Sequence, residues 1–209
     1  MTGEDCGGGP GVECFAVGRP MDGQSVSGDA YVCHPFDTGT LVSAIDGLGH
    51  GEEAAVASHL AKEIMEQNAG EPLKDLIRRC DSAMKHTRGA VASMARFDTS
   101  EGTLTWLGVG NVEGVLFRHM PDGSIKKEGM ALRGGVVGYM LPPLTQHTFE
   151  LNRGDTLILA TDGLAGAFVD NIHHQDELRE IAGELMREFR KPADDALVIA
   201  ARYVGGEAG

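Results

Sequence analysis

The chain has 209 residues, 42% of them hydrophobic, a length and composition that suit one globular domain around its own core. Acidic residues number 31 against 18 basic, giving a formal charge of −13; this is the opposite of the positive footprint that displaces counterions from phosphates, so nucleic-acid binding is excluded. No apolar run approaches the ~20 residues that span a bilayer, and residues 1–11 lack the basic-then-apolar order of a signal peptide, so a cytoplasmic protein is expected.

Residues 1–11 are polar and Gly-rich and read as a mobile tail, leaving 12–209 as a single domain. Ser27-Gly-Asp29 stands before the apolar Ala30-Tyr-Val32. Residues 41–45 form a short apolar run that leads into Asp46-Gly-Leu-Gly-His-Gly51. A helix is expected over 52–68. Val56, Leu60, Ile64 and Met65 give its apolar stripe, Glu52 and Glu53 suit its N-terminal dipole, and Gly70 stops it. A second helix starts near Pro72, with Leu73, Leu76, Ile77, Cys80 and Met84 at steps of three to four.

Strands are expected at 90–97, 103–109 and 113–118. The turn signals 98–102 and Gly110-Asn111 separate them, the pattern of an antiparallel meander. Pro121-Asp-Gly123 marks a further hairpin turn. Met140-Leu-Pro-Pro143 shapes a loop, and Asn152-Arg-Gly-Asp155 turns between strands at 145–151 and 156–161. A third helix covers 176–190, with Leu178, Ile181, Leu185 and Phe189 inward, and a strand at 196–203 follows. Helices and strands do not alternate, which argues against a doubly wound sheet and for a two-sheet α+β sandwich with helices outside. His173-His174, in a polar stretch, reads as a solvated loop.

The cysteines, Cys6, Cys14, Cys33 and Cys80, contain no C-x-x-C pair and no Cys/His cluster of zinc-like spacing; free thiols are expected. The chemistry lies with aspartates. Asp29, Asp46, Asp162 (in Thr161-Asp-Gly163) and Asp194-Asp195 all stand at the edges of apolar strands. A carboxylate there is costly to desolvate unless paired or metal-bound, and carboxylate and carbonyl oxygens are hard ligands suited to magnesium or manganese. Taken singly, an Asp-Gly is usually a turn, and Asp98 and Asp122 are read that way. Specificity comes from the ordered set.

That set is Ser27-Gly-Asp29, Asp46-Gly-Leu-Gly-His-Gly51, Gly89-Ala-Val-Ala-Ser93, Gly108-Val-Gly-Asn111, Thr161-Asp-Gly163 and Asp194-Asp195. It resembles the type-2C metal-dependent protein phosphatases, in their bacterial branch that includes the sporulation stage II E phosphatase. The resemblance implies a four-layer α/β/β/α sandwich of two antiparallel sheets flanked by helices. It implies two Mn2+ or Mg2+ ions, with Asp46 bridging them, Gly47 offering its carbonyl, Asp162 and Asp194 completing the shell, and Asp29 as a ligand or neighbour of ligands. A water activated by the metals would attack phosphoserine or phosphothreonine.

Eukaryotic members carry a histidine two residues after the bridging aspartate and an arginine for the phosphate. Here Leu48 holds the first position, with His50 nearby, and Arg19 does not align with the second. The chain has no Cys-x5-Arg phosphatase loop and no Walker loop. By resemblance the substrates are phosphorylated STAS-domain proteins of the stressosome (RsbS/RsbR-like), with the chain acting as a monomer, away from nucleic acid and membrane. Two alternatives stay open: a catalytically weak binding module for STAS partners, and a small-molecule phosphatase.

Overall fold

A computed structural model of the chain describes residues 4–6, 8–120, 122–166 and 177–205. In chain order they form β1 (Glu4–Asp5), β2 (Val12–Arg19), β3 (Asp29–Phe36), β4 (Gly39–Gly47), α1 (Glu52–Gln67), α2 (Leu73–Ala83), a 3-10 turn (Met84–His86), β5 (Ala90–Asp98), β6 (Thr103–Val109), β7 (Glu113–His119), β8 (Ile125–Gly129), β9 (His147–Glu150), β10 (Thr156–Ala160), α3 (Leu178–Phe189) and β11 (Ala196–Tyr203). One sheet has the order β1-β2-β11-β10-β7-β8, the other β3-β4-β5-β6-β9. Every paired strand is antiparallel.

The layers follow from the two-residue period of the strands. On β2, Cys14 and Ala16 face the second sheet, while Phe15 and Val17 face α3. On β4, Val42 and Ala44 face the first sheet, while Leu41 and Ile45 lie under α1 and α2. Three cores result: one between the sheets, one beneath α1 and α2, and one beneath α3. This is the α/β/β/α sandwich that the motifs imply. Each fully buried leucine or isoleucine in these layers stabilises the fold by about 1.5–3 kcal/mol through loss of apolar surface from water. Trp106 is fully buried in the central core and donates its indole N–H to the Ala131 carbonyl at 2.7 Å. Gly114 makes room for it, since a Cβ there would lie 2.5 Å from the indole ring.

Three features differ from the sequence reading. Within the stretch read as a tail, Glu4–Asp5 pairs with Ala16 and Phe15 of β2, and the Cys6 N–H donates to the Cys14 carbonyl at 3.1 Å. On α1 the buried face is Ala54, Ala57, Ser58, Ala61 and Met65, whereas Val56 is 61% exposed. Small alanines let the helix lie close on the sheet, and Leu60 and Ile64 fill its margin. Strands β2 and β8 carry no clear alternation to mark them. The hairpin at Asp122-Gly123 forms as expected, with Gly123 at φ 82° and β7 pairing β8. Pro121, Asp176 and His173-His174 lie outside the described residues.

Candidate metal centre between the sheets

Asp29 and Asp46 come from the second sheet, where the β3–β4 register sets them directly opposite each other. Asp162 follows β10 and Asp194 precedes β11, both in the first sheet. Asp46, Asp162 and Asp194 line one cavity of about 410 Å³, together with Leu48, Gly49, His50, Val91 and Asn111. Asp29 lies behind it, tied to the first sheet: Thr161 Oγ1 donates to Asp29 Oδ2 at 2.7 Å and accepts the Leu197 N–H at 2.9 Å. Arg19 ends β2 opposite Ala196, two residues from Asp194 in the chain, but is not part of the cavity lining.

The glycines of the motifs are there for close approach. A Cβ on Gly47 would stand 2.1 Å from the Ala54 carbonyl oxygen, where α1 begins. One on Gly163 would stand 1.8 Å from the Asp195 carbonyl oxygen. Asp-Gly is therefore a packing device here, bringing each aspartate against its neighbouring backbone.

The adjacent aspartates Asp194 and Asp195 part company. Asp194 faces the cavity, and its Oδ1 accepts the Asp195 N–H at 3.0 Å. Asp195 is buried, and its two carboxylate oxygens accept the N–H groups of Met21 and Gly28, both at 2.8 Å. It clamps the turn that delivers Asp29.

The electrostatics of the cluster are those of crowded like charges. Burial, then the charges of Asp162, Asp194 and Asp195, push the Asp46 carboxyl up to about 7. Asp29 is raised by burial and by Asp46 opposite it, offset in part by the Thr161 hydrogen bond. Asp194 is raised by burial and by Asp162. Among the cavity-lining residues none is a lysine or arginine. The nearest ammonium, Lys191 Nζ, donates to the main-chain oxygen of Asp162 at 2.5 Å. A crowded set of mutually repelling oxygen donors at an open cavity, without a lysine or arginine among its lining residues, fits hard divalent cations.

Several contributors have no signal of their own in the sequence. Asn111 donates to Asp162 Oδ2 at 2.8 Å and orients it; its place in the Gly-Val-Gly-Asn motif was the available pointer. Thr161 and Asp195 stand beside singled-out aspartates, but their cross-sheet bonds require the tertiary fold. Arg88 lies against Gly49, a residue of the cavity lining, and is ion-paired with Glu53.

Comparison with known proteins agrees with this architecture. Residues 37–204 match the family described as Stage II sporulation protein E (SpoIIE). The phosphoserine phosphatase RsbX of Bacillus subtilis (strain 168) is 33% identical over 143 residues, covering 68% of this chain and 70% of that protein. The crystal structure of RsbX in complex with magnesium superposes with a TM-score of 0.81 at 26% identity, over 91% of this chain and 94% of that one. A structure described with "the bacterial stressosome: a modular system that has been adapted to control secondary messenger signaling" gives 0.82 at 25% identity, over 91% and 99%. Among the described residues no helix is long and apolar enough to cross a membrane. Fold, ordered acidic motifs and sequence match together make this chain a phosphatase of the Stage II sporulation protein E family, within the type-2C phosphatases.

Proposed function

We propose that the chain is a protein serine/threonine phosphatase that hydrolyses phosphoserine or phosphothreonine on STAS-domain proteins of a stressosome, resetting a stress signal. The observation that carries the chemistry is the convergence of Asp46, Asp162 and Asp194 from two sheets on one cavity. Likeness to a phosphoserine phosphatase and to a stressosome structure supports the substrate class.

In this reading Asp46, the Gly47 carbonyl, Asp162, Asp194 and Asp29 hold two Mg2+ or Mn2+ ions. When bound, the ions supply Lewis acidity toward water and phosphoryl oxygens. The chain's own residues set the geometry. Thr161 fixes the Asp29 carboxylate, Asn111 fixes that of Asp162, and Asp195 fixes the turn before Asp29. Arg88, beside Gly49 of the cavity lining, would supply a cation to the phosphate of an arriving substrate. Residues 12–209 act as one catalytic domain, as a monomer.

The test is phosphate release from a phosphoserine-bearing STAS-domain protein with manganese, with magnesium and with chelator. Metal-dependent release that chelator stops supports the proposal. A folded chain that releases nothing from genuine phosphorylated substrate under any metal overturns it.

A further inference from the structure

Cysteines far apart in sequence meet in space. The Sγ atoms of Cys6, Cys14 and Cys33 all lie within 4.8 Å of one another. Cys6 follows β1 and sits across from Cys14 of β2, its N–H bonded to the Cys14 carbonyl. Cys33 arrives from the other sheet, on β3 opposite Val42. Cys14 belongs to the central core, and Cys6 and Cys33, partly buried, pack against it. The three thiols thus join the N-terminal strand and both sheets at one point. Cys80 is elsewhere, buried under α1 with its Sγ 3.9 Å from the Ala61 carbonyl oxygen.

We propose that Cys6, Cys14 and Cys33 form a second metal site, binding one zinc ion through three thiolate sulfurs. Zinc bonds sulfur at ~2.3 Å, so sulfurs on a tetrahedral ion stand ~3.8 Å apart. The cluster reaches that spacing with shifts of an ångström or less, within the reach of side-chain rotation. Soft sulfur donors select zinc over the hard cations suited to the aspartates, so the two centres sort their metals by ligand type. Cys14 is buried while Cys6 and Cys33 are half-buried, which leaves the fourth coordination position to water from the open side.

The site is separate from the carboxylate cavity. Cys33 is four residues beyond Asp29 on β3, about 13 Å along an extended strand. All three cysteines precede residue 37, where the match to the family begins. The site's role is structural: the ion clips β1 to both leaves of the sandwich. Nothing in it depends on the phosphatase reading.

Cobalt is the probe. Added to the full, reduced, metal-free chain, one equivalent of Co2+ gives thiolate-to-cobalt charge-transfer absorption, and Zn2+ abolishes it by displacement. The band disappears in Cys6→Ser, Cys14→Ser and Cys33→Ser and persists in Cys80→Ser and in Asp46→Asn. The wild-type chain gives an independent reading that needs no variant to fold: zinc shields the two half-buried thiols, Cys6 and Cys33, from an alkylating reagent under native conditions. Absence of the thiolate band in the reduced chain, its persistence in all three single variants, or equal alkylation with and without zinc overturns the proposal.

Discussion

Asp29 stands directly across from Asp46 in the antiparallel register of β3 and β4, so two carboxylates face the same end of one sheet. Like charges directly opposite in a sheet are destabilising. Beyond burial, Asp46 raises the cost of ionising Asp29, and Asp162, Asp194 and Asp195 raise that of Asp46 from the facing sheet. The fold keeps this arrangement because three of its members also have a fixed partner: Thr161 for Asp29, Asn111 for Asp162, and the Asp195 N–H for Asp194. The cluster is held against its own repulsion, which is the condition a cation relieves.

Asp46→Asn should separate activity from stability. Loss of the central carboxylate lowers phosphate release by roughly 10²-fold or more, comparable to removing a key electrostatic stabiliser. The same change removes repulsion, so without metal the variant melts at a higher temperature than the wild type at pH 8. Steady-state kinetics and thermal melts in chelator check the two halves; equal turnover would remove Asp46 from the metal centre.

Stability of the metal-free chain should fall as pH rises. The folded pKa of Asp46 is about 7, above its ordinary 3.8, so the folded state binds more protons than the unfolded state across that interval. The stabilising contribution is complete below the unfolded value and is lost as pH climbs through about 7. Asp29 and Asp194 shift in the same direction. Denaturant titrations from pH 4.5 to 8 in chelator, an interval of roughly that width, show the decline; saturating magnesium flattens it.

Asp195→Ala should damage the site from behind. It leaves the N–H groups of Met21 and Gly28 without their acceptor, at about 1–3 kcal/mol for each buried donor. The expected pattern is a lower melting temperature together with weaker magnesium activation, because the turn holding Asp29 loosens. Unchanged magnesium dependence in a destabilised variant would confine Asp195 to folding.

Gly163→Ala meets the Asp195 carbonyl oxygen at 1.8 Å, a contact that only backbone movement can relieve. A cost of about 1–3 kcal/mol or more is expected, as for overpacked cores. Since Asp162 and Asp194 flank this contact, activity should fall further than at Gly129→Ala, where a Cβ meets nothing within 4 Å.

Arg88→Ala leaves every carboxylate in place. It should raise KM several-fold with little change in kcat, as expected when a guanidinium binds the phosphate equally in ground and transition states. A fall in kcat at constant KM would place Arg88 in the chemical step instead.

Much of the fold could be read from the sequence where apolar runs were bounded by turn residues. Residues 103–109 and 196–203 emerge as β6 and β11 with the bounds expected of them. The stripe Leu73, Leu76, Ile77, Cys80, Met84 is fully buried, as its spacing implies. The first helix shows where hydrophobicity misleads: Val56 points to water because alanines, weak in any hydrophobic count, pack closer to a sheet. β8, with two lysines and a glutamate in five residues, is an edge strand whose ladder bonds, not its side chains, define it. The aspartates were visible as motifs, yet their division of labour was not. The resemblance picks Asp194 for the shell, but the role of Asp195 emerges only from the position of the Met21 and Gly28 N–H groups. The thiol cluster was hidden for the same reason: 8 and 19 residues separate its members, and β1–β2 pairing together with sheet stacking joins them.

The acidic residues hang in two pairs, one pair on each leaf of the sandwich, and this makes the centre a caliper. A slip of one leaf by a single residue step, about 3.3 Å, would carry half of the carboxylates away from the other half. Catalytic competence is thereby tied to how the leaves sit on each other. A protein gripping the flanks of the domain, far from the cavity, could throttle it by shear alone.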